Sequence, residues 1–311
     1  MVNPRWHRGG RALSILAAAG RPRLGSSVVR ITAPAKINLS LDVLGRRPNG
    51  YHELVSVVTA VDLCDEVAAD DRPQPGVDLT CSDDRVPSDR SNLAWRAAEL
   101  LARRYGIDPA VRLRLAKRIP PGAGLGGGSS DAAAALLLLI RRWQLEPSLA
   151  ELSEMAAELG SDVPFFLRCG TALIMGRGER VQSLTYQPPG RVLLIMPPFQ
   201  VSTAEVYGAF KPSDVQACPS EMWWEKRPAS VHELSNCCYN SLRPAAERVC
   251  PALASIRGRL ERLGLGAVHL SGSGSAMFAL MADHQEAQQW ADRIAEKLQV
   301  ATCVGHYFGQ R

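Results

Sequence analysis

Ile119-Pro120-Pro121-Gly122-Ala123-Gly124-Leu125-Gly126-Gly127-Gly128-Ser129-Ser130-Asp131, running straight into the apolar stretch Ala132–Ile140, is the part of this chain whose reading settles the rest. Five glycines in seven residues let the backbone fold tightly and point several N–H groups into one concavity. The helix that follows adds the positive end of its dipole. Such a nest suits a phosphate.

The letters Gly122-x-Gly124-x-x-Gly127 also fit a dinucleotide fingerprint, but the preceding segment argues against it. Val111–Ile119 alternates apolar with basic residues as a half-exposed strand does, whereas the first strand of a doubly wound parallel sheet reads as a continuous apolar run. A Walker A loop ends in Gly-Lys-Ser or Gly-Lys-Thr, and here Gly-Ser-Ser-Asp stands instead. A flexible Gly/Ser linker is disfavoured because an apolar helix begins within the motif. The loop must hold phosphate through backbone groups and hydroxyls.

At 311 residues, 46% apolar and 22% charged, the chain has the composition of a soluble globular protein with one large core or two ordinary ones. The net charge of +5 is localised. Residues 1–30 hold six Arg and no acid, which leaves 30 basic against 31 acidic residues and gives no basic face for nucleic acid. The Arg-rich segment 1–29 reads as a disordered extension, a transit peptide or an early start. Ala132–Ile140, the longest apolar run, is about half a membrane span, so no membrane partner is expected. The eight cysteines show no C-x-x-C pair and no metal-ligand spacing, and read as reduced thiols in a cytoplasmic protein that hold no metal.

Along the chain, Lys36, Asn38, Ser40 and Asp42 alternate with Ile37, Leu39, Leu41 and Val43, predicting a half-buried strand from Ile31. Pro48-Asn49-Gly50 is turn chemistry, and Leu54–Leu63 returns as the second strand of a hairpin with Tyr51 and His52 just past its tip. Helices are predicted over Asn92–Tyr105, Ser129–Trp143 and Glu151–Leu159, the last ending at Gly160, with Ser161-Asp162-Val163-Pro164 opening a short element. Thr171–Met175 and Val192–Met196 read as strands. Residues 211–230 lack periodicity and read as a mobile loop. The last hundred residues alternate helices (Ala254–Leu263, Gln285–Leu298) with strands (Ala267–Leu270, Ala276–Leu280, Val300–Val304). The pattern is α+β in two domains, 30–187 and 188–311, with a boundary near Pro188.

Two more segments, Ala33-Pro34-Ala35-Lys36-Ile37-Asn38-Leu39-Ser40-Leu41 and Leu270-Ser271-Gly272-Ser273-Gly274-Ser275-Ala276, together with the glycine loop, resemble the three motifs of the GHMP kinases in order. The insertion Arg46-Arg47-Pro48-Asn49-Gly50-Tyr51-His52-Glu53-Leu54 resembles the branch that acts on a cytidine diphosphate adduct of methylerythritol in non-mevalonate isoprenoid biosynthesis. The resemblance implies an S5-like N-terminal domain against a ferredoxin-like C-terminal domain, and transfer of phosphate from ATP, with Mg²⁺, to the 2-hydroxyl of that small molecule. The protein is then a monomer or homodimer.

Residue by residue, the resemblance implies ATP binding by Pro120, Pro121, Gly122, Ala123, Gly124, Leu125, Gly126, Gly127, Gly128, Ser129 and Ser130, and a second nest from Ser271, Gly272, Ser273 and Gly274. Read alone, the two serines also suit helix capping, and Ser271–Gly274 is an ordinary turn. Gly160-Ser161-Asp162-Val163-Pro164 reproduces the family's Gly-x-Asp-x-Pro, which makes Asp162 the catalytic base with Lys36 as its partner. Without the family, Asp162 is a cap for the next helix and Lys36 one lysine on a solvated strand face. Tyr51, His52, Thr203 and Tyr207 would hold the cytidine, with Asn38 on the face of Lys36. Alone, Tyr51 is a partly exposed aromatic. The family's Asn-Asp after the loop appears here as Asn236-Cys237-Cys238-Tyr239-Asn240, and neither asparagine is carried over.

Overall fold

A computed structural model describes residues 29–48, 50–215 and 223–309. The expected N-terminal extension, Asn49 at the hairpin tip and the middle of the 211–230 loop fall largely outside the described residues. In chain order the elements begin with β1 (Val29–Arg46), β2 (His52–Asp71), β3 (Gly76–Cys81), α1 (Leu93–Tyr105) and β4 (Ala110–Ala116). They continue with α2 (Gly127–Arg142), α3 (Leu149–Leu159), α4 (Val163–Phe166), β5 (Thr171–Gly176), β6 (Arg180–Leu184), β7 (Arg191–Met196) and α5 (Thr203–Ala209). The remainder is α6 (Trp223–Lys226), α7 (Val231–Cys237), β8 (Tyr239–Asn240), α8 (Arg243–Val249), α9 (Pro251–Arg262), β9 (His269–Leu270), β10 (Met277–Met281), α10 (His284–Leu298) and β11 (Ala301–Gly305).

The chain forms two compact units that are not contiguous in sequence. Among the described residues, unit one holds 29–33, Asp65–Lys117 and Gly128–Cys169, and unit two holds Pro34–Cys64, Arg118–Gly127 and 170–309. This differs from the contiguous division at Pro188, because β1 and β2 are single long strands whose residues contribute to both units.

In unit one, β4 pairs parallel with β3 and antiparallel with the second half of β2, from Glu66↔Ala116 to Asp71↔Val111. The alternation read over Val111–Leu115 is real: Val111, Leu113 and Leu115 are buried, while Arg114 is exposed. Asn92 caps α1 by accepting from the Ala94 N–H at 2.9 Å, and Gly106 at φ +64° closes it. Ser148 and Glu151 form a capping box on α3. Every residue of α2 from Ser130 to Ile140 is buried, so this helix is core on all sides. Each buried leucine there contributes about 1.5–3 kcal/mol. Gly160 follows α3 in extended backbone at φ 177° rather than in a left-handed cap.

In unit two, β5 pairs antiparallel with the first half of β2 and with β6, and β8 pairs parallel with β1. A separate antiparallel sheet has the order β11-β7-β10-β9, the ferredoxin-like arrangement. Its strand β7 is buried on both faces. Leu193 and Ile195 pack with Leu253, Leu260 and Ile294 on the helical side, while Val192 and Leu194 pack with Ile37, Leu39 and Phe278 on the other.

Two expectations are corrected. β1 is not half-buried, since every residue from Ala33 to Val43 is buried and its polar face carries Lys36, Asn38, Ser40 and Asp42 at 7% exposure or less. Alternation marks two chemically distinct faces but cannot say what covers the polar one. The 211–230 stretch is also structured where it is described, with a tight turn at Pro212–Asp214 and the short helix α6. Trp223 is 2% exposed against Tyr186, whose hydroxyl donates to the Pro228 carbonyl at 3.1 Å.

Candidate active site

In unit two the glycine loop is pinned by its carbonyls. Gly122, Gly124 and Gly126 adopt φ of +68°, +77° and +73°, the left-handed region that glycine enters without steric cost. The carbonyls of Ala123, Gly124 and Leu125 accept from the Ala276 N–H at 2.9 Å, the Ser271 hydroxyl at 3.1 Å and the Lys36 N–H at 2.9 Å. In a trans peptide the C=O and N–H point in opposite directions, so the N–H groups that follow these carbonyls face away from their partners. That polarity fits an anion. The first motif, the loop and the third motif, separated by some 240 residues of sequence, thus meet within this unit.

The side chains of β1 extend the arrangement. Lys36, 5% exposed, donates to Asn38 Oδ1 at 2.5 Å, Asn38 Nδ2 donates to Ser56 Oγ at 2.8 Å, and Ser56 Oγ donates to the Ser40 carbonyl at 2.5 Å. This chain fixes the carboxamide of Asn38 in one orientation. Gly272, at φ +57°, lies against it: a Cβ there would sit 3.3 Å from Lys36 Nζ and 3.5 Å from Asn38 Oδ1. Ser56 escaped sequence reading because one serine in a valine-rich strand carries no pattern.

The hairpin tip divides its two residues. Tyr51, 50% exposed, lies under the Arg177 guanidinium, 5.2 Å from the ring centroid. His52 packs instead on Tyr207 at 5.0 Å and edge-on to Phe210 at 6.0 Å. Burial, and then the Arg46 charge, hold its imidazole below the usual range. Thr203 opens α5 and its hydroxyl pairs with Ser273 Oγ at 2.8 Å. His52 and Tyr207 are therefore brought together, as are Thr203 and the third motif, while Tyr51 has Arg177 as its ring partner.

In unit one, α2 begins at Gly127, so Ser129 and Ser130 lie inside its first turn and neither is the cap. Ser130 is fully buried, with no hydrogen-bond partner for its hydroxyl among the described residues. Ser129 is half-buried, and a Cβ on Gly160 would lie 3.9 Å from its Oγ, which puts the Gly160–Pro164 segment against the start of α2. Asp162 precedes α4 in helical backbone, and its side chain makes no capping hydrogen bond. The capping explanation of Asp162 therefore fails.

The same unit holds a buried ion cluster that sequence reading missed. Lys117 bonds Asp131 at 2.6 Å and also pairs with Asp65, all three side chains being 3% exposed or less. Burial, followed by the proximity of Asp65, raises the Asp131 carboxyl above the ordinary range against the pull of Lys117. The partners of Lys117 come from positions 52 residues before and 14 after it, a spacing without local meaning.

The descriptions "GHMP kinases N terminal domain" and "GHMP kinases C terminal" match residues 92–170 and 225–300. A 4-diphosphocytidyl-2-C-methyl-D-erythritol kinase from Pelotomaculum thermopropionicum is 43% identical over 272 residues, covering 86% of this chain and 93% of its own length. The chain belongs to this family of GHMP kinases. A protein of the same description from Bacillus subtilis is 40% identical over 258 residues, covering 83% of this chain and 89% of that one. A solved 4-(cytidine 5'-diphospho)-2C-methyl-D-erythritol kinase superposes with a TM-score of 0.75 at 38% identity, over 89% of this chain and 98% of the other. A homoserine kinase from Cytophaga hutchinsonii shares the fold at 19% identity and a TM-score of 0.67. The α+β, two-domain kinase expected from sequence is the fold observed.

Proposed function

We infer that this chain transfers the γ-phosphoryl group of ATP to the 2-hydroxyl of 4-diphosphocytidyl-2-C-methyl-D-erythritol, in non-mevalonate isoprenoid precursor biosynthesis. The observation that carries the reading is the glycine loop itself, whose carbonyls are consumed by the first and third motifs so that its amides serve the triphosphate. Relatives of 40% identity and more, carrying that substrate in their description, support the choice of acceptor.

In this reading the bond from the acceptor oxygen to the γ-phosphorus forms as the bond to ADP breaks, and the hydroxyl proton passes to Asp162. A carboxylate cannot strip an alcohol early; it accepts the proton late, when the forming bond has acidified the hydroxyl in a loose transition state. Base assistance supplies about 10² to 10⁴ in rate, so most of the acceleration comes from preorganised charge, to which Lys36 and the loop amides contribute. Ser129, half-buried in the first turn of α2, is the hydroxyl we assign to Mg²⁺, which when bound offsets triphosphate charge. Pro120 to Ser130 complete the ATP side, with Ser271–Gly274 as the second nest. Tyr51, His52, Thr203, Tyr207 and Asn38 take the cytidine diphosphate substrate.

Among the described residues no helix is long and apolar enough to cross a membrane, and Cys81, Cys237, Cys238, Cys250 and Cys303 are thiols, which suits a reducing cytoplasm. An ADP-release assay run in parallel with the cytidylylated substrate, mevalonate and homoserine tests the assignment. Turnover with the first alone is expected, and turnover with only another acceptor, or with none, overturns it.

A further inference from the structure

The segment after α7 was not assigned a role from sequence, yet it is tied to both the first and third motifs. Strand β8 has two residues, pairing Ser40↔Tyr239 and Leu41↔Asn240 in parallel with β1, and the Ser241 N–H continues the ladder to the Leu41 carbonyl at 2.9 Å. Ser241 Oγ donates to Asp42 Oδ1 at 2.8 Å, which anchors the segment to β1 four residues past Asn38. Asn240, 6% exposed, faces the other way. Its Nδ2 donates to the carbonyls of Leu270 at 2.9 Å and Gly272 at 2.7 Å, and its Oδ1 accepts the Leu242 N–H at 2.9 Å. Both amide hydrogens are used, and no other residue type of that size offers two donors and an acceptor from one planar group.

Gly272 is the residue of the third motif that approaches both Lys36 Nζ and Asn38 Oδ1, and a Cβ on it would lie 3.3 Å from the Gly124 carbonyl. Its own carbonyl is held by Asn240. We propose that Asn240 is a positioning residue for phosphoryl transfer: its carboxamide couples the third-motif loop to the strand that carries Lys36 and Asn38. This rests on the kinase reading above. It adds that the spacing of the third motif from Lys36 is set by a side chain that touches neither substrate.

The charge chemistry makes the isosteric variant decisive. Asn240→Asp keeps shape and volume but turns a carboxylate toward two carbonyl oxygens, so the loop must move away. Asn240→Ala removes the bonds without repulsion. Thr171→Val, which deletes the buried Thr59–Thr171 hydroxyl pair elsewhere in unit two, serves as a control for general destabilisation. For both Asn240 variants we expect kcat to fall about 10- to 100-fold, more for Asp, with KM for ATP and for the acceptor changed less than about threefold. Hydrogen exchange of the 271–275 amides should quicken while that of β7 and β10 stays as in the unaltered protein. Thr171→Val should lose stability without loss of kcat.

The proposal is overturned if either Asn240 variant keeps kcat within about twofold of the unaltered protein. It is equally overturned if exchange at 271–275 is unchanged, or if Thr171→Val loses kcat in the same proportion. Should the unaltered protein itself fail to turn over the cytidylylated substrate, the functional reading fails, and the exchange measurement alone then decides whether Asn240 sets the loop.

Discussion

Gly124 and Ser271 touch so closely that a methyl group on the glycine would lie 2.3 Å from the serine carbonyl oxygen, while the serine hydroxyl donates to the glycine carbonyl at 3.1 Å. No real Cβ contact survives at that distance, and the serine carbonyl oxygen is backbone that cannot swing aside. Gly124→Ala therefore combines a left-handed conformation, about 1–2 kcal/mol, with a collision that separates the loop from the third motif. A loss of roughly 2 kcal/mol or more in denaturant unfolding and a large fall in turnover are expected. A variant that unfolds and turns over like the native protein would show that the two motifs do not need this contact.

Asp162 has no capping bond to explain its presence before α4. Asp162→Asn preserves size and polarity and removes only the proton acceptor. We expect kcat to drop about 100-fold or more, with affinity for an ATP analogue by titration calorimetry within about threefold. Full activity in the Asn variant would transfer the base role elsewhere.

Lys117 is shared by two buried carboxylates. Lys117→Met removes the cation that Asp65 and Asp131 share, and should cost about 3–5 kcal/mol of stability. Asp131→Asn removes one of two competing negative charges and leaves a matched pair, so its cost should stay under about 1 kcal/mol. Urea unfolding of the two variants side by side checks the ordering, and equal losses would contradict it.

His269 supplies a pH dependence. It packs on Phe278 at 5.3 Å and bonds Ser235 at 3.1 Å, and burial, with Arg243 nearby, holds its imidazole down to about 4 against an ordinary 6.5. Between those values the unfolded chain binds a proton there and the folded chain does not. The unfolded state thus binds more protons, and stability rises with pH through that window and is lost as pH falls from about 6.5 towards 4. His269→Gln should flatten this limb in urea midpoints taken at several pH values; an unchanged slope would remove His269 from the account.

Helices α1, α2 and α3 were legible because their signals are local: helical spacing over Asn92–Tyr105, an unbroken apolar run after Ser130, and an end at Gly160. The glycine loop was legible for the same reason, since left-handed glycines and a following helix write themselves into adjacent letters. β8 was not, because two residues carry no period. Asn240 and Lys117 were not, because their worth lies in partners 14 to 52 positions away, at spacings without local meaning.

From its letters alone this chain determined a tight glycine-rich loop, the order of its motifs and the alternation of its strands, all of which arise from backbone preferences and side-chain polarity over a few residues. Only the tertiary structure decided that the polar face of β1 is buried, that the loop's carbonyls are taken by Lys36, Ser271 and Ala276, and that Asn240 holds Gly272. Those outcomes depend on which distant segment supplies the matching donor or acceptor, and hydrogen-bond pairing across long separations leaves no periodic trace in sequence.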